Sequence, residues 1–276
     1  MQLRWVSFLA PNMYPVYSFV ARAVGRRLGV STEIAAGRSF AAFASGDADV
    51  GFICGLPYVE LSRLDPPPIE LLGAPILSGR RYGGRPIYFS DVIVAASSDV
   101  RSFEDLAGRS WAYNEPHSHS GYNLTRYRLA TMGVTSGFFG KVVEAGYHQL
   151  AIRLVAEGAV DASAIDSQVL EIELRDHPEL VEQVKVVDVL GPSTIQPVVA
   201  AARLDRGLKR DLTTVLLGLA EEQGARAALA TGFVERFVRM TDVDYDDIRA
   251  MLAAAELVGP LLDPTDETRL RHPATG

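Results

Sequence analysis

The sequence predicts an α/β fold built around two sheets. Two runs of alternating strand-like and helix-like segments predict it, as does the placing of the polar, aromatic and glycine residues at the strand exits. Residues 3–9 read as a first strand, ended by the turn Pro11-Asn12. Val16, Phe19, Val20, Ala23 and Val24 then recur at helical spacing until Gly29. Residues 31–36 and 50–54 read as strands and 40–44 as a short helix, which gives β-α-β-α-β, the pattern of a parallel sheet. A helix over 58–64 meets Asp65-Pro66-Pro67-Pro68, followed by a strand over 69–77 and the turn-rich 80–86. An aromatic entry leads into an apolar strand over 87–95, where the first domain change is placed.

A second β-α series follows. Residues 102–106 have helical composition, 109–115 strand character, and 120–132 helical composition again. Residues 141–145 and 162–165 read as strands, with a helix between them that carries Leu150, Ala151, Leu154 and Val155 and stops at Gly158. Strands over 184–190 and 198–202 are joined by Gly191-Pro192-Ser193-Thr194-Ile195-Gln196-Pro197. Beyond Asp205 the reading is helical to near Leu257, with a polar tail from Asp263.

Composition narrows the function. The 276 residues are 48% hydrophobic and 22% charged, ordinary for a globular protein. A net charge of -7 at pH 7 offers no basic face for nucleic acid. No run approaches the roughly 18 apolar residues of a membrane span, so no membrane insertion is expected. The first ten residues lack a secretory pattern, so the chain is expected either to remain cytoplasmic or to begin after processing. The single Cys54 permits no intrachain disulfide and reads as a buried, inert thiol. There is neither a Walker A sequence nor a dinucleotide fingerprint, and no cofactor is expected.

The most informative stretch is Pro116-His117-Ser118-His119-Ser120-Gly121, between a strand and a helix. A helix start leaves N-H groups unpaired at the positive end of the macrodipole. Serine hydroxyls add donors, and Gly121 lets a ligand approach the backbone, so the stretch reads as an anion seat. A lone serine there is more often an N-cap. Tyr14, Tyr58, His148, Asp166, Gln168 and Gln196 also fall in strand-exit or crossover loops, where open α/β sheets bind ligands. His117, His119, Glu115 and His148 are metal-ligand types, but i and i+2 side chains diverge in an extended turn, and no metal site is expected. Ser120, His148 and Asp166 are of the types serine catalysis needs, without the nucleophile-elbow sequence.

The motifs together resemble the phosphonate, phosphite and phosphate binding proteins of ABC importers, which have the type II periplasmic-binding-protein fold. Five carry the likeness in order: Asp49-Val50-Gly51 before Gly55-Leu56-Pro57-Tyr58; Tyr88-Phe89-Ser90; the Ser-x-Ser-Gly motif of Ser118 to Gly121; Gly146-Tyr147-His148; and Val160-Asp161-Ala162 before Asp166-Ser167-Gln168. The resemblance implies two lobes, residues 1–91 with 200–276 and residues 92–199, hinged and closing on a ligand in the cleft between them. It implies an anion held by Ser118, Ser120 and the N-H groups of His119 and Gly121, completed by His148, with Tyr58 and Tyr88 approaching from the other lobe. Members that bind aminoethylphosphonate place carboxylates over the ammonium, where this chain has Gln168 and Gln196, with Asp166 two residues away. An unpaired buried ammonium is costly, so an anion with a neutral substituent is expected. The implied partners are the oxyanion and an ABC permease or a sensor protein, and the implied location is periplasmic. The alternative is a cytoplasmic enzyme on the same fold, like the menaquinone-precursor enzymes.

Overall fold

The computed structural model describes residues 1–257 and residue 262, so the expected tail from Asp263 lies outside the described residues. In chain order the elements are β1 (Gln2–Ser7), α1 (Tyr14–Leu28), β2 (Ser31–Ala36), α2 (Ala42–Ser45), β3 (Val50–Phe52), α3 (Gly55–Ser62) and β4 (Ile69–Leu77). Then come β5 (Ile87–Ala95), β6 (Ser110–Tyr113), α4 (Leu124–Thr131), β7 (Lys141–Glu144), α5 (His148–Ala156), β8 (Ala162–Asp166), α6 (Ser167–Asp176), α7 (Leu180–Gln183) and β9 (Val184–Thr194). The last are β10 (Val198–Ala201), α8 (Arg206–Leu217), α9 (Ala225–Ala230), β11 (Val234–Val238) and α10 (Asp246–Leu257).

The chain divides into two units: Met1–Tyr88 with Ser193–Arg249, and Phe89–Pro192 with the chain from Ala250. The sequence predicts crossings at 91/92 and 199/200, with residues 200–276 in the first lobe. β9 continues to Thr194 rather than stopping at Leu190 and so spans the return at 192/193, and Met251 and Leu262 pack on the apolar cluster of the second unit.

In the first unit the strand order is β11-β4-β10-β3-β1-β2. β1 pairs in parallel with β2 and β3, as the β-α-β-α-β pattern predicts, but β10 lies antiparallel between β3 and β4. It returns from the second β-α series rather than through a helical crossover, so nothing compels it to run parallel. α1 buries Val16, Val20, Ala23 and Val24 along one face and ends where Gly29, at φ 65°, caps it through bonds to Arg26 and Gly25. The expected helix beyond Asp205 is interrupted by β11, which pairs antiparallel with β4 and buries Val234 and Phe237. Glu235 and Arg236 between them dilute the strand signal.

The second unit holds a sheet of order β7-β6-β8-β5-β9, with β6 parallel to β7 and β8, and β5 antiparallel to β8. Trp111 of β6 stacks on Phe139 at 4.6 Å between ring centres and meets Phe103 edge-on at 5.9 Å. At the other end of β6, from which the Ser118 loop departs, Tyr113 packs against Tyr122 of the following turn at 5.0 Å between ring centres.

Candidate anion seat

The seat is built in the second unit, where the loops after β6 and β7 are stitched side by side. Ala145 N-H donates to Tyr113 O at 2.7 Å and Gly146 N-H to Asn114 O at 2.6 Å. Gly146 stands at φ 84°, a conformation glycine adopts without strain, and this turn delivers His148 to the first position of α5. Tyr147 before it is extended and caps nothing with its side chain.

Ser118, at φ -79° and ψ 129°, is an N-cap whose Oγ accepts the Gly121 N-H at 3.0 Å. The capping reading of this serine is therefore realised, and the Gly121 N-H assigned above to the anion is engaged by the cap. Residues His119–Asn123 form a π-helical turn, not the start of a regular α-helix, with Asn123 N-H on Ser118 O at 3.0 Å. The wide turn brings Ser120 Oγ to 3.1 Å from His148 Nε2 and 3.5 Å from Ser118 Oγ. Ser90 Oγ, from β5, steadies it by donating to Ser120 O at 2.9 Å. Ser118, Ser120 and His148 are all buried, and no Lys or Arg side chain bonds any of the three among the described residues. Any negative charge received here is met by neutral donors and helix starts.

Burial alone lowers His148 and His119 to a pKa of about 3, so both rings are neutral in the ligand-free protein. His119 is fully buried, with Nδ1 3.2 Å from Asn123 Nδ2. Both pKa values lie below the unfolded value, so the unfolded chain binds more protons through this window. Ligand-free stability should accordingly be complete above about pH 6.5 and fall by a few kcal/mol as pH drops toward 3, measured by urea unfolding across pH. His119→Gln with His148→Gln should flatten that fall.

The other sequence-designated residues are placed as follows. Asp166 Oδ1 caps α6, accepting from Gln168 N at 2.8 Å and Val169 N at 3.2 Å. That use explains a carboxylate at this position without a ligand, and Gln168 is buried in the same first turn. Asp166→Ala should destabilise the fold by about 1–2 kcal/mol and Asp166→Asn by much less, read from denaturant midpoints. In the first unit Tyr14 OH donates to Ile34 O at 2.6 Å, and Tyr58 OH donates to Asp242 Oδ1 at 2.7 Å. Burial, then Asp242, pushes the Tyr58 phenol far up, so it remains a proton donor. Tyr88 and Gln196 are buried in the same unit. Cys54 lies just beyond β3 and is only partly buried, against the buried thiol expected.

The structure thus brings together Ser118, Ser120, Gly121 and His148. Among the described residues the buried His148 Nδ1 has no partner, so none of their carboxylates orients the ring as a catalytic triad requires. Among the described residues no three His, Cys, Asp or Glu side chains group so as to hold a metal ion. Sequence reasoning missed Asn114, and it placed Ser90 in a motif without foreseeing that its hydroxyl supports Ser120. Asn114 sits against Gly121, where a side-chain Cβ would overlap the Asn114 carboxamide oxygen and stand 3.2 Å from His148 Cε1.

Residues 7–245 match the family model for the phosphonate periplasmic substrate-binding protein of ABC transporters. The chain belongs to that family. A probable ABC transporter phosphite binding protein of Prochlorococcus marinus (strain MIT 9301) is 25% identical over 158 residues, 55% of this chain. The match spans 53% of that relative, about half its length. Among solved structures, a binding protein component of an ABC phosphonate transporter from Pseudomonas aeruginosa superposes with a TM-score of 0.81 at 17% identity, over 93% of this chain and 87% of that one. The Prochlorococcus protein in complex with methylphosphonate gives 0.79 at 20% identity, over 91% of this chain and 96% of that one. These likenesses show the type II periplasmic-binding-protein fold, as the family membership leads one to expect. Outside the phosphonate binders, an alkanesulfonate-binding protein from Xanthomonas axonopodis pv. citri, bound to MOPS, reaches 0.65 at 16% identity, over 95% of this chain and 96% of that one.

Proposed function

We propose that this protein captures a phosphonate-like tetrahedral oxyanion at Ser118, Ser120 and His148 and presents it to an ABC importer, or to a sensor of the same ligand, outside the cytoplasmic membrane. The observation that carries the reading is the Ser120–His148 pair at 3.1 Å beside the Ser118 cap, buried at the starts of two helical segments. Hydroxyl, imidazole and backbone donors converging on one point suit an oxyanion with several acceptor oxygens. The family and the methylphosphonate complex of its Prochlorococcus member support the ligand class.

A binding role without turnover fits the same geometry. The ring that would serve as a base is held neutral by burial and has no orienting carboxylate among the described residues. Gln168 supplies no negative charge, and the Asp166 carboxylate is engaged as a cap, which favours a ligand with a neutral substituent. Refolded, ligand-free protein titrated calorimetrically with methylphosphonate, phosphite, phosphate, aminoethylphosphonate and sulfate tests the reading. Micromolar or tighter binding of methylphosphonate or phosphite is expected, with the ligand recovered unchanged by phosphorus NMR. Conversion of the bound ligand would move the protein to the enzymes.

A further inference from the structure

The turn that carries Ser120 is π-helical over His119–Asn123 and passes straight into α4. Turns of this width are rare, because the backbone bonds better when closed to α-helical width, so the wide form needs support from outside the turn. Tyr122 is the residue placed to receive it, since the other four of the turn are buried in the seat. Its ring centre lies 5.0 Å from that of Tyr113, the last residue of β6, and 5.3 Å from the Arg126 guanidinium carbon, which stands over the ring. Tyr113 OH donates in turn to Glu144 Oε2 at 3.2 Å, at the end of β7.

Arg126 stands four residues beyond Tyr122, a spacing that brings helical side chains onto one face. Its guanidinium also reaches another element. An N-H of Arg126 donates to Ala255 O at 3.2 Å, one of the last four carbonyls of α10, which have no partner inside their own helix. The negative end of the α10 macrodipole favours the charge at this place. That end of α10 has its own anchorage in the second unit: Leu252 and Ala255 are buried, and Met251 packs on the cluster that includes Leu124 and Leu129 of α4. The guanidinium is therefore pinned between an aromatic face and a helix end.

We propose that Arg126 is a positioning residue for the anion: by clasping Tyr122 to the C-terminus of α10, it holds residues 119–123 in the wide turn that brings Ser120 to His148. The proposal rests on the function given above. His148 is delivered separately, by the turn in which Gly146 N-H donates to Asn114 O at 2.6 Å, so it does not follow the π-helical turn when that turn changes. Without the clasp the Tyr122 ring loses the cation over its face, and closing the turn to α-helical width re-aims Ser120 away from the imidazole. The charge of Arg126 acts on the ring and on α10, and the donors that meet the anion stay neutral.

Arg126→Met keeps the stem and removes the charge. In calorimetric titrations of variants shown by circular dichroism to be folded, it should weaken methylphosphonate binding about 10-fold. Arg126→Lys, which keeps a cation over the ring, should bind within about 3-fold of the native chain. Tyr122→Leu should weaken binding to a similar degree, and adding Arg126→Met to it should cost less than about 2-fold more, because both act through one contact. Nitrogen NMR of the ligand-free protein gives an independent reading of the Ser120 bond: the His148 Nε2 resonance should move in Arg126→Met and return toward its native position in Arg126→Lys. Native affinity and an unmoved resonance in Arg126→Met would overturn this inference and leave the binding function standing. Losses from Arg126→Met and Tyr122→Leu that simply add would overturn the route through Tyr122. If the native chain binds no methylphosphonate, the function proposed above fails, while the Nε2 resonances of the ligand-free variants still decide whether Arg126 holds the turn.

Discussion

Ser120→Ala should weaken methylphosphonate binding about 10- to 100-fold, the loss expected when one charge-assisted hydrogen bond is removed. The expectation follows from where Ser120 stands. Its Oγ is the link between the imidazole and the Ser118 hydroxyl, at 3.1 and 3.5 Å. Removing it takes a donor from the anion and strips Nε2 of its bond, leaving a buried ring with no partner on either nitrogen among the described residues. The N-cap on Ser118 is untouched, so the thermal midpoint should move by only a few degrees. Ser118→Ala provides the contrast: it removes the bond from the Gly121 N-H as well, so stability should fall by about 1 kcal/mol along with affinity. Calorimetric titration and thermal melts on the two variants separate binding from capping.

Gly121→Ala should have the larger effect, a loss of binding of roughly 100-fold with about 1–3 kcal/mol of destabilisation. The cause is space. The added methyl would occupy the position of the Asn114 carboxamide oxygen and crowd the His148 ring, so either the loop after β6 or the π-helical turn must move. Both carry donors of the seat, and a displacement of this kind spoils oriented hydrogen bonds. If overlap with Asn114 is the cause, Asn114→Ala in the same chain should recover a good part of the lost stability. The two substitutions would then be strongly non-additive, which denaturant unfolding of the single and double variants measures.

Much of the frame is legible in the sequence for physical reasons. β2, β4 and β5 have the bounds that their apolar, β-branched runs and flanking turns predict. α1 ends at the glycine expected to end it. β11 was not legible because its pairing with β4 is set by tertiary packing, and its central Glu-Arg pair reads equally as a solvated helix face. In the seat, residue types at a strand-to-helix turn mark Ser118, Ser120 and Gly121 as candidates, and His148 opens the next helix but one of the same series. The π-helical turn, the capping use of Ser118 and Asp166, and the placing of Asn114 against Gly121 depend on how the backbone closes in space. No local periodicity encodes them.

The central claim is that the Ser118–Gly121 turn and His148 hold the anion, and backbone amide NMR of the assigned protein tests it most directly. On addition of methylphosphonate the account predicts that the largest shifts fall on residues 118–121 and 147–149, reaching saturation at one ligand per chain, and that Ser120→Ala needs about 10- to 100-fold more ligand to reach it. Saturable shifts concentrated elsewhere, with these amides unmoved, would contradict it.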